Sequence, residues 1–462
     1  MKEKGSYKNL KIRHLKMLAI GSSIGTGLFI NFGFIIFKAG ILMSIFLCFL
    51  IVIITYFLMI NLYEMSLYDI KYNSFFSYGT EFVNKEFGFA LGWNYWWNWS
   101  ITTSINLIAI QMIIKYWFIY PPGWVWSLLF LFLFILFNAI SNKIFGEIEY
   151  LLSLIKIFFV FLFIILGIYF ILNKIIYENK TPIIENLLFK DFYSTLNVIP
   201  SISFCFQGIE LFGISLKDYK NYDKNIFLIL TKIIFKIFFL YVFSILVIGL
   251  ILSKYDLNNL YYNKQNVINS PFTIVLYKIN FIGFSSIVNF VILMSVFSSG
   301  NYSIYASTRI LYILSKESKA PKIFSKISRN GVPYFSLLCN VIISMLFFLY
   351  FLYKENLIYV WLINLSSITG IVAWLCISIS YLFYMKKSSD FKFYNLKTIF
   401  TFISIFFCLF IIIVQNYIEF YINYNINLFK FISINGGILL FIAYWMYYYL
   451  KKKFLNSFKH FF

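Results

Sequence analysis

Gly21-Ser22-Ser23-Ile24-Gly25-Thr26-Gly27 interrupts an apolar run that extends from Met17 to Phe37. Three glycines and three hydroxyls in seven residues weaken a helix. At membrane depth, irregular backbone is tolerated only where it lines a cavity or is buried in protein. Small residues at this spacing also serve as a packing face between helices, so the stretch can be read as a broken helix or as a tight contact. A second stretch, Phe206-Gln207-Gly208-Ile209-Glu210, favours the first reading. It sets a glycine, an amide and a carboxylate near the middle of another apolar run.

Working outward, the chain is built of such runs. Its 462 residues are 61% hydrophobic and 12% charged, whereas a soluble domain is roughly 45–50% apolar and about 25% charged. Water is therefore not the main solvent for its surface, and membrane lipids are. A net charge of +21 would suggest a nucleic-acid partner in a soluble chain. Here the charges fall in short loops between apolar runs, where they report orientation, so no nucleic acid is expected. The five cysteines lie inside apolar runs without a CxxC pair, and His14 and His460 sit in basic termini. Neither a disulfide framework, a zinc site nor a His-based catalytic site is indicated. With no Gly-rich phosphate loop and no nucleophile elbow, no cofactor and no enzyme activity are expected. The basic start Met1–Lys16 leads straight into the first span and reads as no cleavable leader.

A bilayer-crossing helix needs about 20 apolar residues. That predicts an all-α membrane protein of about twelve spans, near Met17–Phe37, Ile41–Leu62, Ala90–Trp117, Trp124–Ile140, Tyr150–Leu172, Leu196–Ser215, Phe227–Leu252, Ser285–Leu314, Tyr334–Phe351, Tyr359–Tyr384, Ile399–Ile418 and Phe431–Tyr449. The densest Lys/Arg segments, Lys2–Lys16, Lys316–Arg329, Lys386–Lys397 and Lys451–Lys459, share one side if both termini are cytoplasmic. The two interrupted runs are spans one and six. An odd offset of five inverts the second copy, the pattern of a five-plus-five inverted repeat with a site at two discontinuous helices. One domain is expected: repeat one at about 15–173, repeat two at about 195–385, and two extra helices at about 398–450. The broken ends supply N–H groups for a carboxylate and C=O groups for an ammonium, which suits an amino acid.

Two ionisable residues stand out. Glu210 falls inside span six, where a carboxylate is costly and so a functional candidate; the bland reading is a structural Glu bonded to unwound backbone. Lys156 lies about two turns, some 10 Å, into span five, and either snorkels to the surface or serves inside.

At these residues the chain resembles bacterial amino acid permeases of the amino acid–polyamine–organocation superfamily, most of all the lysine-specific members. The likeness is carried by Leu10-Lys11-Ile12-Arg13-His14-Leu15 before the glycine stretch, by Gly88-Phe89-Ala90-Leu91-Gly92-Trp93-Asn94-Tyr95-Trp96, and by Phe145-Gly146-Glu147-Ile148-Glu149-Tyr150. It continues through Ser270-Pro271-Phe272-Thr273, Ser298-Ser299-Gly300-Asn301, Tyr305-Ala306-Ser307-Thr308-Arg309 and Thr369-Gly370-Ile371-Val372-Ala373-Trp374-Leu375, nearly the whole chain.

The resemblance implies a LeuT-like fold and a symporter whose partners are an amino acid, L-lysine first, and a proton, in the cell inner membrane. It implies that Ser22, Ser23, Gly25, Thr26 and Gly27 with Phe206, Gly208 and Glu210 hold the substrate, and that Tyr95 and Trp99 approach it. Read without the resemblance, those aromatics are an interfacial belt. It also implies that Lys156 stands where sodium-coupled relatives bind the ion, and so carries the proton with Glu210. Asp218 stands where lysine permeases carry a glutamate, as a cation-selectivity residue, but Lys217 beside it replaces a glycine and can neutralise it. Other departures are Ile209 for threonine, Tyr302 for serine, and Ile70, Asn73 and Phe227 in place of prolines or glycines. The alternatives are a permease for arginine, histidine or a neutral amino acid, or a lysine-binding sensor. A passive channel ranks low, because the breaks form no ring of carbonyls or charges.

Overall fold

Among the described residues every regular element is helical. The computed structural model describes residues 12–68, 74–140, 142–177, 192–211, 225–262, 270–279, 285–353, 358–388, 395–417 and 428–459. Ile70 and Asn73 lie outside them. The chain runs through α1 (Ile12–Ser23), a π-helical turn (Gly27–Asn31), α2 (Phe32–Ala39), α3 (Ile41–Ser66), α4 (Phe75–Phe82), α5 (Lys85–Ile114), α6 (Gly123–Ile140), α7 (Asn142–Tyr177), α8 (Phe192–Leu196) and α9 (Ile199–Phe206). It continues with α10 (Asn225–Ile251), α11 (Lys254–Tyr262), α12 (Pro271–Lys278), α13 (Ser285–Lys316), a 3-10 turn (Lys322–Ser325), α14 (Tyr334–Tyr353), α15 (Ile358–Lys387), α16 (Leu396–Tyr417) and α17 (Leu428–Lys459).

Eight helices are long and apolar enough to cross a membrane among the described residues, and the chain is a multi-span membrane protein. The other expected spans fall on α5, α8 with α9, α14 and α17. α5 is rich in hydroxyls and amides because it is shielded from lipid. It packs against α13, α15, α17, α4, α14 and α6, and nearly all of its residues are buried. A helix buried all round can carry hydroxyls and amides if each finds a partner. Ser100 donates to Asn340 at 2.6 Å, Thr103 pairs with Ser303 at 2.8 Å and Ser104 donates to the Ser344 carbonyl at 2.9 Å. These bonds fix the rotation of α5 and so aim Tyr95, Asn98, Trp99 and Thr102. The helix begins where Asn84 accepts from the Phe87 amide at 2.7 Å, an N-cap.

The first interruption is real but short. α1 stops at Ser23, Ile24 and Gly25 bend, and the chain resumes as a π-turn before α2. The π-turn was not foreseen; such turns recur where a helix must be re-aimed.

Candidate functional site

Both interruptions open the helix ladder, and their freed groups find specific partners. The Ser22 and Ser23 hydroxyls fold back on the Ala19 and Ile20 carbonyls at 3.1 and 2.8 Å, which loosens the last turn of α1. The Gly21 carbonyl accepts from Lys156 Nζ at 2.8 Å. The Ser23 carbonyl accepts from the Tyr241 hydroxyl of α10 at 2.7 Å. α9 stops at Phe206, Gln207 is extended, and Gly208 has φ +101°, a conformation L side chains rarely adopt. Tyr241 also lies 2.9 Å from the Cys205 carbonyl, so one hydroxyl bridges both breaks.

Glu210 is buried beside the second break. One carboxylate oxygen accepts from the Tyr95 hydroxyl at 2.8 Å and the other from the Gly208 amide at 3.1 Å. Gln207 turns towards α15, donating to the Ser366 and Ser367 carbonyls at 3.2 and 3.1 Å, while its oxygen faces Asn98. Between the breaks lies a cavity of about 20 Å³, lined by Ser22, Ser23, Gly25, Thr26 and Gly27 from the first and by Phe204 and Gln207 from the second. Trp99 and Thr102 of α5 and Ser299 of α13 complete it. It holds roughly one water molecule, so an amino acid enters only if these elements part. The π-turn starts at Gly27, and Thr26 makes no side-chain cap bond; the leading amides of such an end lack helical acceptors and suit a carboxylate.

The expected residues divide into groups. Ser22, Ser23, Gly25, Thr26, Gly27 and Trp99 line the cavity. Gly208 abuts it: a Cβ there would come 2.9 Å from Ser22 Oγ and 3.2 Å from the Trp99 ring. Tyr95 and Glu210 pair behind it. The Phe206 ring does not line the cavity and packs edge-on against Tyr241 at 4.9 Å. Tyr95 and Trp99 are buried, so neither belongs to an interfacial belt. Lys156 is only 1% exposed and turns inward rather than snorkelling. Lys217 and Asp218 lie outside the described residues. Carbonyls expected to meet a substrate ammonium are engaged in this arrangement: Cys205 and Ser23 by Tyr241, Gly21 by Lys156.

Sequence reasoning did not single out Tyr241, Gln207, Thr102, Phe204 or Ser299. Thr102 carried a usable signal, standing three residues from Trp99 on the same face. Gln207 stood inside the quoted break, and its amide was noted without a role.

A model of the amino acid permease family matches residues 14–460. The chain is 40% identical to the lysine-specific permease LysP of Escherichia coli over 97% of its own length and 94% of that protein. It is 40% identical to LysP of Lactococcus lactis, covering 80% of this chain and 75% of that one. The histidine permease HisP of Lactococcus lactis is 38% identical over 81% of this chain and 79% of its own.

Proposed function

The chain belongs to the amino acid permease family, a family of transporters rather than enzymes, and from that premise we propose that it imports L-lysine with a proton across the cell inner membrane. The observation that carries the proposal is Glu210: a carboxylate buried at the second break, within reach of Tyr95 and backed by the Gly208 amide. A buried carboxylate costs several kcal/mol unless its site repays it, and a cationic side chain repays it. The likeness to two lysine-specific permeases supports that choice. The 38% identity to a histidine permease favours a second reading, with histidine as substrate.

In the proposed cycle the substrate carboxylate meets the amides at Gly25–Gly27, and Trp99 and Tyr95 exclude water from it. The substrate's side-chain ammonium takes the place of the Tyr95 hydroxyl or the Gly208 amide on Glu210. Lys156 carries the coupled proton. When α1 moves, Gly21 leaves Lys156 and its ammonium must find another acceptor or give up a proton. Asp218 adds a second negative charge on the cation's path. The arrangement is about twelve spans in a five-plus-five inverted repeat, at about 15–173 and 195–385 with two extra helices at about 398–450, both termini cytoplasmic. Two interruptions five spans apart that meet at Ser22 and Gly208 support the repeat. Competition tests the substrate. Unlabelled lysine should suppress uptake of labelled lysine well below the concentration at which histidine or a neutral amino acid does; stronger suppression by histidine would move the assignment to histidine.

A further inference from the structure

We propose that Ser153 and Glu149 form, with Lys156, a proton relay along one face of α7. The proposal rests on proton coupling through Lys156, the reading given above. The three residues stand at i, i+4 and i+7, one stripe of the helix, separated by rises of about 6 Å and about 4.5 Å. All three are buried, and the cycle so far uses only Lys156.

Ser153 is the unexplained member. Many buried helical serines in this protein return their hydroxyl to the carbonyl four residues back, as Ser203, Ser295 and Ser380 do. The Ser153 hydroxyl has no hydrogen-bond partner among the described residues, a state that costs about 1–3 kcal/mol. It presses on Gly21, where a Cβ would come within 2.1 Å of Ser153 Oγ. Gly21 thus makes room for this hydroxyl with its Cα and holds Lys156 with its carbonyl. A hydroxyl accepts one proton while donating another, which is what an intermediate carrier needs.

Glu149 is the terminal acceptor. Ser298 Oγ and Asn301 Nδ2 of α13 each donate to one of its oxygens at 2.6 Å, and Asn138 of α6 holds Asn301 by its side-chain oxygen at 2.8 Å. One donor per oxygen leaves lone pairs to receive a proton. Competing charges nearby are engaged or face outward: Lys232 and Lys236 of α10 are exposed, and Lys278 of α12 pairs with Asp256. On α1, Arg13 and His14 both approach Glu147, at 2.5 and 3.1 Å, and Lys16 is partly exposed. On α13, Arg309 donates to the Gly331 carbonyl and stacks on Tyr305, and Tyr302 lies beside it. The part of α6 that packs here contributes no charge. In the step Gly21 has left Lys156, and Ser153 Oγ, hydrogen-bonded to neither group in this arrangement, turns between them; an N–H bond of the Lys156 ammonium breaks as Ser153 Oγ takes the proton. The Ser153 hydroxyl proton passes to a Glu149 oxygen. Lys156 is left as a neutral amine and Glu149 as a carboxylic acid, with no net change in charge.

A purely structural Glu149 would tie α7 to α13 and nothing more, and Glu149→Gln preserves that tie because its amide oxygen accepts from Asn301 and its amide nitrogen donates to the Ser298 hydroxyl, which reverses to accept. Proteoliposomes holding native protein, Glu149→Gln or Ser153→Ala are compared for two activities with labelled L-lysine: exchange against internal lysine without a proton gradient, and accumulation driven by an inward proton gradient. The relay predicts near-native exchange in both variants, with gradient-driven accumulation reduced about tenfold or more in Glu149→Gln and slowed in Ser153→Ala. Native accumulation with an unchanged pH profile in Glu149→Gln overturns it. So does an equal loss of exchange and accumulation in a folded variant, which marks a structural role. If Glu149→Gln does not fold, Ser153→Ala decides, since it removes only an unpartnered hydroxyl; native accumulation there overturns the relay. Native protein that exchanges lysine but ignores the gradient removes proton coupling and the relay together, and is distinguished from the other results by the native arm alone.

Discussion

The Tyr241 hydroxyl lies 2.7 Å from the carbonyl oxygen of Ser23 and 2.9 Å from that of Cys205, joining two helix ends far apart in sequence. It has one proton for two acceptors, so the bond is shared. Each carbonyl is a group that an interrupted helix would otherwise leave unpaired in a dry interior. Removing the hydroxyl in Tyr241→Phe should destabilise the protein by about 1–3 kcal/mol, read as a lower thermal midpoint in detergent micelles. An unchanged midpoint would mean that other donors serve these carbonyls.

Gly208 carries the second break. Its φ of +101° strains any other residue by about 1–3 kcal/mol, and an added methyl would crowd Ser22 and Trp99. Gly208→Ala should lower uptake more than it lowers folded yield, because the crowding falls on the cavity wall. Native uptake from Gly208→Ala would remove the break from the site.

How much of this was legible follows from where each signal lives. The Gly21–Gly27 interruption, the break at Gly208, Glu210 and Lys156 stand out locally, because glycine clusters and ionisable residues are rare within apolar runs. Tyr241 carried no such signal; it is one of 37 tyrosines, and only the packing of α10 against both breaks singles it out. The same holds for Gln207, whose partners Ser366 and Ser367 lie about 160 residues away. The ring of Phe206 was hidden for a related reason. Its place in the motif could not tell which way its ring turns, and the contact with Tyr241 decides that.

Lys156→Ala leaves the Gly21 carbonyl without its donor and removes the proposed proton carrier. Lysine exchange should persist at reduced rate, while acceleration of uptake by external acid should disappear. Retention of the native pH dependence in this variant would take the coupling role away from Lys156.

Outside the spans, Asp256 of α11 is paired with Lys278 of α12 and accepts from the Ser253 amide at 2.7 Å. Burial alone would raise its carboxyl, but the bonds from Lys278 and Ser253 outweigh that and hold it below the usual range. A lowered carboxyl stabilises the fold above its unfolded value, near 4, and that contribution is lost as pH falls through the folded value. Asp256→Asn should therefore be less stable than the native protein by about 1 kcal/mol at neutral pH, with the gap closing below pH of about 4. A gap that stays constant with pH would show that the charge contributes nothing.

The central claim is that Glu210 at the second break recognises a cationic amino acid moved by the proton gradient. Uptake of labelled lysine into proteoliposomes under an inward proton gradient, with Glu210→Gln beside the native protein, tests it most directly. The account predicts saturable, gradient-driven uptake by the native protein and a fall of about a hundredfold in the variant. Equal uptake by a folded Glu210→Gln would contradict it.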